Sequence, residues 1–231
     1  MNRQPAILAL DLTSGTGSLS ILNGPMIRTE RKWETKQSHA ETVLVELAAA
    51  LREYGASLDR MDYLVAVHGP GSFTGIRIGL GTIMGFAEAF SKPIYLINSL
   101  EATAMACIDP DKEFQVALDA RRNQVYIQSF RYAGNLMVVL NQPLCITVER
   151  WIESLIPSLE TILGDGALKY KTEIIRRHPG ADVRPGPVNL ASAAGQLAFF
   201  RLEAGSINPT EIPEALYLRP PDVLAKAETG I

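Results

Sequence analysis

The chain has 231 residues, of which 47% are hydrophobic and 20% charged, and its formal net charge is −3. This composition is typical of a globular protein with one large domain or two small lobes, and the acidic balance argues against a protein that holds much nucleic acid by itself. Two cysteines without C-x-x-C spacing exclude a disulfide framework and indicate a reducing compartment.

The N-terminal segment MNRQPAILALDL has an apolar run that is too short for a signal peptide and is interrupted by Asp11. No apolar run approaches the roughly 20 residues that a membrane-spanning helix needs. We therefore expect a cytoplasmic protein without membrane contact.

The N-terminal half predicts a mixed sheet with helices against it. Short apolar runs predict strands at 6–10 and 63–67, and alternation predicts the strand at 18–22. A capping box of Ser38 and Glu41 marks the start of the first helix, and Gly55 is a suitable residue for its end. The predicted elements in chain order are strands at 6–10, 18–22 and 26–33, a helix at 38–55, a strand at 63–67, a helix to about residue 90, a strand at 93–97 and a helix from residue 99.

The C-terminal half gives weaker patterns. Arg121-Arg122-Asn123 is the predicted turn between its first two strands, and GDGA after residue 163 is a glycine turn. The predicted elements are strands at 114–118, 124–132 and 136–140, a helix at 148–155, a strand at 161–163, a helix from 189 or 190 to 203, and a proline-rich extended tail.

The stretch HGPGSFTGIRIGLG, residues 68–81, first suggests a phosphate loop. A P-loop needs a lysine after its last glycine, and residues 37–91 contain no lysine. The dinucleotide fingerprint also fails, because Thr74 stands where its third glycine belongs.

The glycines of this stretch share a helix face, since Gly71, Gly75 and Gly79 lie four residues apart. Each costs about 1 kcal/mol in a helix relative to alanine, so another backbone must come close to compensate. That backbone belongs either to the chain's own sheet or to a helix of another subunit, and the spacing leaves both open.

The hairpin tip DLTSGTGS, residues 11–18, could hold a magnesium-bound phosphate through Asp11 and the small hydroxyl residues. The same residues are favoured in ordinary hairpin turns, and the local pattern favours that interpretation.

Metal and nucleophile sites are not predicted. His39, His68 and His178 are far apart, no H-x-x-x-H or G-x-S-x-G motif occurs, and nothing places a partner beside His68. Asp109 and Asp111 read as a solvated loop.

Six motifs in order resemble one family. They are ILALDLTSGTGSLSIL, HAETVLVEL, HGPGSFTGIRIGLGTIMGFAEAFSKPIYLINSLEA, ALDARRNQVYI, LGDGA and EALYLR. Together they resemble the bacterial TsaB (YeaZ) family of tRNA threonylcarbamoyl-adenosine biosynthesis proteins, from residue 7 to about residue 219.

The resemblance implies a two-lobed α/β fold of the actin/sugar-kinase/Hsp70 type, with a mixed sheet and flanking helices in each lobe. We expect lobes at 1–104 and 105–231, with a tail from about residue 205 packing back on the first lobe. It further implies a non-catalytic partner of TsaD, the subunit that transfers threonylcarbamoyl to the tRNA adenosine beside the anticodon. The P-loop ATPase TsaE would be a second partner, tRNA would bind only through the complex, and the chain alone would be a homodimer.

TsaD carries an H-x-x-x-H metal motif, and Ser99 and Thr103 stand at the matching positions here. We therefore expect no metal and no tightly bound cofactor, with ATP or ADP and magnesium only in the assembled complex. The resemblance also implies that the helix after GPGSFTG belongs to a dimer surface. It further implies that the Asp11 turn and the GDG turn at residues 164–166 are a vestigial nucleotide site. The expected interface residues are Gly71, Ser72, Phe73, Thr74, Gly75, Arg77, Ile78, Gly79 and Thr82, and the expected nucleotide residues are Asp11, Thr13, Ser14, Gly164 and Gly166. The main alternative is a small-molecule kinase of the same fold, and a stand-alone peptidase is a second.

Overall fold

The computed structural model describes residues 3–34, 39–106, 112–133, 136–155 and 161–219. These residues form two compact units, each with a mixed sheet and flanking helices. Unit 1 contains the described residues up to Ala102 and those from Val188 to Leu216, and unit 2 contains those from Thr103 to Pro187 and from Tyr217 onward.

The described elements follow each other in a fixed order along the chain. They are β1 (Ala6–Asp11), β2 (Thr16–Asn23), β3 (Met26–Glu34), α1 (His39–Tyr54), β4 (Tyr63–Val67), α2 (Phe73–Phe90), β5 (Ile94–Ile97), α3 (Ser99–Ala104), β6 (Glu113–Arg121), β7 (Gln124–Ala133), β8 (Leu136–Val139), β9 (Leu144–Thr147), α4 (Val148–Ser154), β10 (Thr161–Leu163), α5 (Asp165–Lys169), α6 (Lys171–Arg177), β11 (Asp182–Arg184) and α7 (Leu190–Glu203).

The sheet of unit 1 has the order β3-β2-β1-β4-β5. The pairs β3–β2 and β2–β1 are antiparallel, and the pairs β1–β4 and β4–β5 are parallel. Side chains alternate between its faces. Leu8 and Leu10 of β1 join the core under α1 and α2. Ala9 points to α7, where a Cβ on Gly195 would lie 3.3 Å from the Ala9 Cβ. Helices therefore cover both faces of this sheet.

The sheet of unit 2 has the order β11-β10-β6-β7-β8, with β9 also paired to β7. On one face, Trp151 of α4 is fully buried, and its indole N–H donates a 2.6 Å hydrogen bond to Gln115 Oε1. On the other face, the ring of Phe114 stacks on Phe130 and Tyr132 at centroid distances of 5.7 and 5.8 Å. The buried indole, with its N–H hydrogen-bonded, thus stabilises packing on one face of the sheet, and the stacked rings stabilise packing on the other.

The observed units differ from the expected lobes at 1–104 and 105–231. Residues 188–204, which that expectation assigns to the second lobe, lie in unit 1, because α7 covers β1 and β2. Residues 205–216, which were expected to pack back on the first lobe, lie in unit 1 as well. The small residues of α7, with Gly195 against Leu22 and Ala9, permit this close approach.

Four short elements, β9, α5, α6 and β11, are not among the predicted strands and helices. Ser38, Cys107, Asp109 and Asp111 lie outside the described residues, as does the end of the tail beyond residue 219. In the part of the chain that the structure describes, no helix is both long enough and apolar enough to cross a membrane.

Candidate functional site

The glycine loop before α2 packs against the tip of the β1–β2 hairpin. The Ser72 N–H donates a 2.6 Å hydrogen bond to the Thr13 carbonyl oxygen. A Cβ on Gly71 would lie 2.2 Å from that same oxygen, and a Cβ on Gly75 would lie 1.8 Å from the Leu12 carbonyl oxygen. Neither position can accept a side chain without moving backbone, so glycine is needed there for close approach.

The prediction that Gly71 and Gly75 allow the close approach of another subunit is therefore corrected, because the chain's own backbone occupies that space. Gly75 and Gly79 are buried, and a Cβ on Gly79 would stand 3.7 Å from the side chain of Leu12. The backbone that comes close to Gly71 and Gly75 belongs to residues 12 and 13 of the same unit, whereas Gly79 faces only the Leu12 side chain at ordinary contact distance. Of the two interpretations that the spacing left open, packing within the lobe accounts for Gly71 and Gly75.

The remaining predicted interface residues lie at the start of α2. Ser72 is its N-cap, and its hydroxyl accepts a 3.3 Å hydrogen bond from the Gly75 N–H. Thr74 and Arg77 are exposed, and the Arg77 guanidinium lies 3.8 Å from the centroid of the half-buried Phe73 ring. Ile78 and Thr82 are half-buried, and the interface role of these side chains stays a prediction.

A second part of the same surface was missed in the sequence. On α2, Gly81 and Gly85 have open space where a Cβ would be, and Met84 between them is 42% exposed. On α1, which packs beside α2, Leu44 is 56% and Val45 65% exposed. We call these five residues the α1–α2 apolar patch. The second glycine pair, four residues apart, was the sequence signal for it.

The Asp11 turn is closed by its own hydrogen bonds. Asp11 is buried, and its Oδ1 accepts the Thr13 N–H at 2.9 Å and the Thr13 hydroxyl at 2.6 Å. The Ser14 hydroxyl donates to the Thr16 carbonyl oxygen at 2.9 Å and accepts from the Thr16 N–H. These are the local hydrogen bonds of an ordinary turn. The Asp11 carboxylate accepts from the Thr13 N–H and hydroxyl, which are donors that a bound phosphate would need.

The GDG turn in unit 2 shows the same arrangement. Gly164 has φ +113°, and a Cβ on Gly166 would lie 2.7 Å from the Leu118 carbonyl carbon, so both glycines serve close packing on β6. The Asp165 Oδ1 accepts the N–H groups of Gly166 at 2.8 Å and Asp119 at 3.0 Å. Its carboxylate thus holds two donors of this turn.

Ser99 and Thr103 are both buried on α3. The Ser99 hydroxyl donates a 2.6 Å hydrogen bond to the Pro70 carbonyl oxygen, and its N–H donates to the Gly69 carbonyl oxygen at 2.8 Å. Thr103 lies in unit 2, where its Cγ2 would be 3.0 Å from a Cβ on Gly186. Hydroxyls in these packed positions are poor ligands for iron or zinc. Among the described residues, no group of three His, Cys, Asp or Glu side chains could hold a metal ion.

The tail returns to unit 1 beside His68. The Leu216 N–H donates to the His68 carbonyl oxygen at 2.8 Å, and the His68 Nδ1 lies 2.9 Å from the Glu214 carbonyl oxygen. Burial away from solvent lowers the pKa of His68, although the Glu214 carbonyl and the Glu101 carboxylate oppose this. A lowered pKa favours the neutral ring, whose Nδ1–H donates to Glu214. His68 is therefore engaged in holding the tail.

Two units, each with a mixed sheet and flanking helices, define an α/β protein of the actin/sugar-kinase/Hsp70 type. The fold matches YeaZ from Pseudomonas aeruginosa with a TM-score of 0.77 at 23% identity, covering 93% of this chain and 100% of that one. It also matches the ethanolamine utilization protein EutJ from Carboxydothermus hydrogenoformans, with a TM-score of 0.54 at 12% identity, covering 85% of this chain and 90% of that one.

The chain belongs to the TsaD family, tRNA N6-adenosine threonylcarbamoyltransferase, whose model matches residues 33–183. It is 33% identical over 122 residues to the tRNA threonylcarbamoyladenosine biosynthesis protein TsaB of Haemophilus influenzae, covering 52% of this chain and 51% of that protein. The matches span about half to two thirds of the length of the curated relatives. The resemblance to TsaB (YeaZ) proteins is confirmed.

Proposed function

We propose that the chain is a non-catalytic partner subunit in tRNA threonylcarbamoyladenosine biosynthesis, and that it associates with a metal-bearing relative of its own fold. The observation that carries this proposal is the burial and hydrogen bonding of the Ser99 side chain. Its hydroxyl is buried and donates to the Pro70 carbonyl oxygen, at a position where the resemblance to TsaD places a metal-binding histidine. A subunit without that site acts through a partner.

The α1–α2 apolar patch supports a partner role. Large apolar side chains exposed on neighbouring helices often mark a contact with another protein, and open glycines on a helix let a second helix come close. Leu44 and Met84 lie on neighbouring helices, with Gly81 and Gly85 one turn apart on α2. We assign this patch, with the exposed Thr74 and Arg77, to the contact with TsaD or, in the chain alone, with a second copy.

The other parts of the proposal are what the resemblance to TsaB (YeaZ) proteins implies. TsaE is the proposed ATPase partner, tRNA binds through the assembled complex, and ATP or ADP with magnesium belongs to that complex. The chain itself holds no tight cofactor, because the carboxylates of Asp11 and Asp165 already occupy donors of both glycine turns. The same observation argues against the kinase alternative.

The test is co-purification from cells with Met84→Asp as the variant. A carboxylate in the middle of a tight apolar contact is costly unless it is paired, so we expect the variant to lose the metal-bearing relative. Phe200→Asp is the matched control, because Phe200 is 50% exposed on α7, which covers the opposite face of the same sheet. Equal retention of the relative by both variants would contradict the assignment of the patch, and its absence from the wild-type purification would contradict the partner role.

A further inference from the structure

The tip of the β6–β7 hairpin has three consecutive residues in the left-handed backbone region. The φ angles are 59° at Arg121, 50° at Arg122 and 57° at Asn123. Asparagine tolerates this region, but arginine is disfavoured there and glycine is the favoured residue in such turns. Backbone that is disfavoured for its own side chains is often found where those side chains have a function.

Contacts from both sides hold this tip in place. The Arg219 Nη1 donates to the Ala120 carbonyl oxygen at 2.8 Å and to Gln124 Oε1 at 3.2 Å. The Val148 N–H donates to the Asn123 carbonyl oxygen at 3.0 Å, and the Arg121 N–H donates to Asp119 Oδ1 at 3.0 Å. The two exposed arginine side chains thus project from an anchored backbone.

The charges around the tip are locally basic, although the whole chain carries −3. Asp119 accepts from Lys169 Nζ at 2.8 Å and from the Arg121 N–H, and Asp165 holds two backbone N–H groups. The carboxylates of Asp119 and Asp165 are therefore engaged in local hydrogen bonds. Glu149 and Arg150 follow Val148 and cancel each other, so Arg121, Arg122, Lys169 and Arg219 against Asp119 and Asp165 leave a formal balance of +2.

We propose that the Arg121–Arg122 tip binds the phosphate backbone of a folded RNA. Adjacent guanidinium forks match phosphate oxygens, and a projecting tip fits a sugar–phosphate strand better than an enclosed small molecule, which needs a concave pocket. The tip sequence DARRNQ has no aromatic residue to stack on a base, so its contacts position the RNA without reading bases. The choice of a tRNA as the RNA rests on the proposed function.

Within the complex this tip would contribute part of the tRNA contact, so the chain alone should bind tRNA only weakly. The test measures this weak binding of the full chain to a labelled, unmodified tRNA transcript by fluorescence anisotropy over a salt series that begins at low salt. The double variant R121S/R122S is compared with R176S/R177S, which removes the same two charges from exposed residues in the last turn of α6. We expect R121S/R122S to weaken binding roughly tenfold and to make the salt slope shallower by about 0.7–0.9 for each phosphate that the variant no longer neutralises. R176S/R177S should stay close to the wild type.

A stability measurement separates a binding role from a structural one. R121G/R122G relieves the left-handed backbone, so we expect its Tm to rise by roughly 2–4 °C while RNA binding falls. A lower Tm for this variant would show that the arginines stabilise the turn, and would overturn the proposal.

Two further outcomes would also overturn it. If R121S/R122S and R176S/R177S weakened RNA binding equally, the binding would depend on the total positive charge and not on the tip. Polyglutamate competing as well as tRNA would point to an acidic protein instead. None of these readouts uses the partner subunit, so a failed co-purification and a failed RNA measurement are distinguishable.

Discussion

Gly75 lies so close to Leu12 that a Cβ built on it would stand 1.8 Å from the Leu12 carbonyl oxygen. Atoms this close to a Cβ must move, and here the atom is backbone of the buried β1–β2 hairpin. We expect Gly75→Ala to lower the free energy of unfolding by about 1–3 kcal/mol, as overpacking does in cores.

Gly81→Ala is the matched control for that variant, because it lies on the same helix and has open space at the Cβ position. Alanine there should raise the free energy of unfolding by up to about 1 kcal/mol through helix propensity alone. Urea denaturation followed by circular dichroism measures both. If Gly75→Ala is as stable as Gly81→Ala, the hairpin does not constrain α2 as described.

Ser99 should contribute to stability and not to metal binding. Ser99→Ala leaves the buried Pro70 carbonyl oxygen without its 2.6 Å donor, which costs about 1–3 kcal/mol of unfolding free energy. Ser99→Thr is the control, since it keeps a hydroxyl at the same position. An unchanged denaturation midpoint for Ser99→Ala would show that the bond to Pro70 is unimportant.

The metal content of the purified chain provides a separate test of Ser99 and Thr103. We expect less than stoichiometric zinc or iron by elemental analysis, because neutral hydroxyls in packed positions do not hold these ions. About one tightly bound metal per chain would contradict the proposed non-catalytic role.

Nucleotide binding by the isolated chain should be weak. Asp11 already accepts two hydrogen bonds from Thr13, so a phosphate entering this turn would have to displace them. We expect calorimetry with ATP and magnesium to give no dissociation constant tighter than about 1 mM, equivalent to roughly −4 kcal/mol. Tight binding that disappears in Asp11→Ala would favour the kinase alternative instead.

Acid should destabilise unit 1 through His68. Its folded-state pKa is lowered, so between that value and the ordinary value of 6.5 the unfolded chain binds more protons than the folded one. The stabilising contribution of the neutral ring is thus present above pH 6.5 and is lost as the pH falls below it. In urea midpoints from about pH 7.5 to about pH 5, His68→Gln should show a shallower decline than the wild type. Parallel declines would assign the acid sensitivity to other groups.

The sequence predicted the elements whose patterns are strong. Short apolar runs placed β1 and β4, and alternation placed β2, because those local patterns agree with the tertiary contacts that the segments make. The face of α2 that packs inside the lobe was not predictable, since spacing shows which residues share a face and not what lies against them.

Other features depended on distant segments. Ala9, Leu22 and Gly195 are widely separated in sequence, so nothing local assigned α7 to the first sheet. The Asp165 carboxylate on the Asp119 N–H likewise joins two segments that are remote in the chain. The exposed Leu44 and Met84 resembled ordinary core positions, because both fall within amphipathic helical patterns.

Unit 1 is assembled from two distant stretches of chain, and this governs the order in which the protein can fold during synthesis. Until residues 188–216 have emerged from the ribosome, the face of the sheet around Ala9 and Leu22 has no helix over it. The whole of the segment from Thr103 to Pro187 is translated in that interval, so much of unit 2 can complete its core first. One face of β1 and β2 is thus covered only after most of unit 2 has been made.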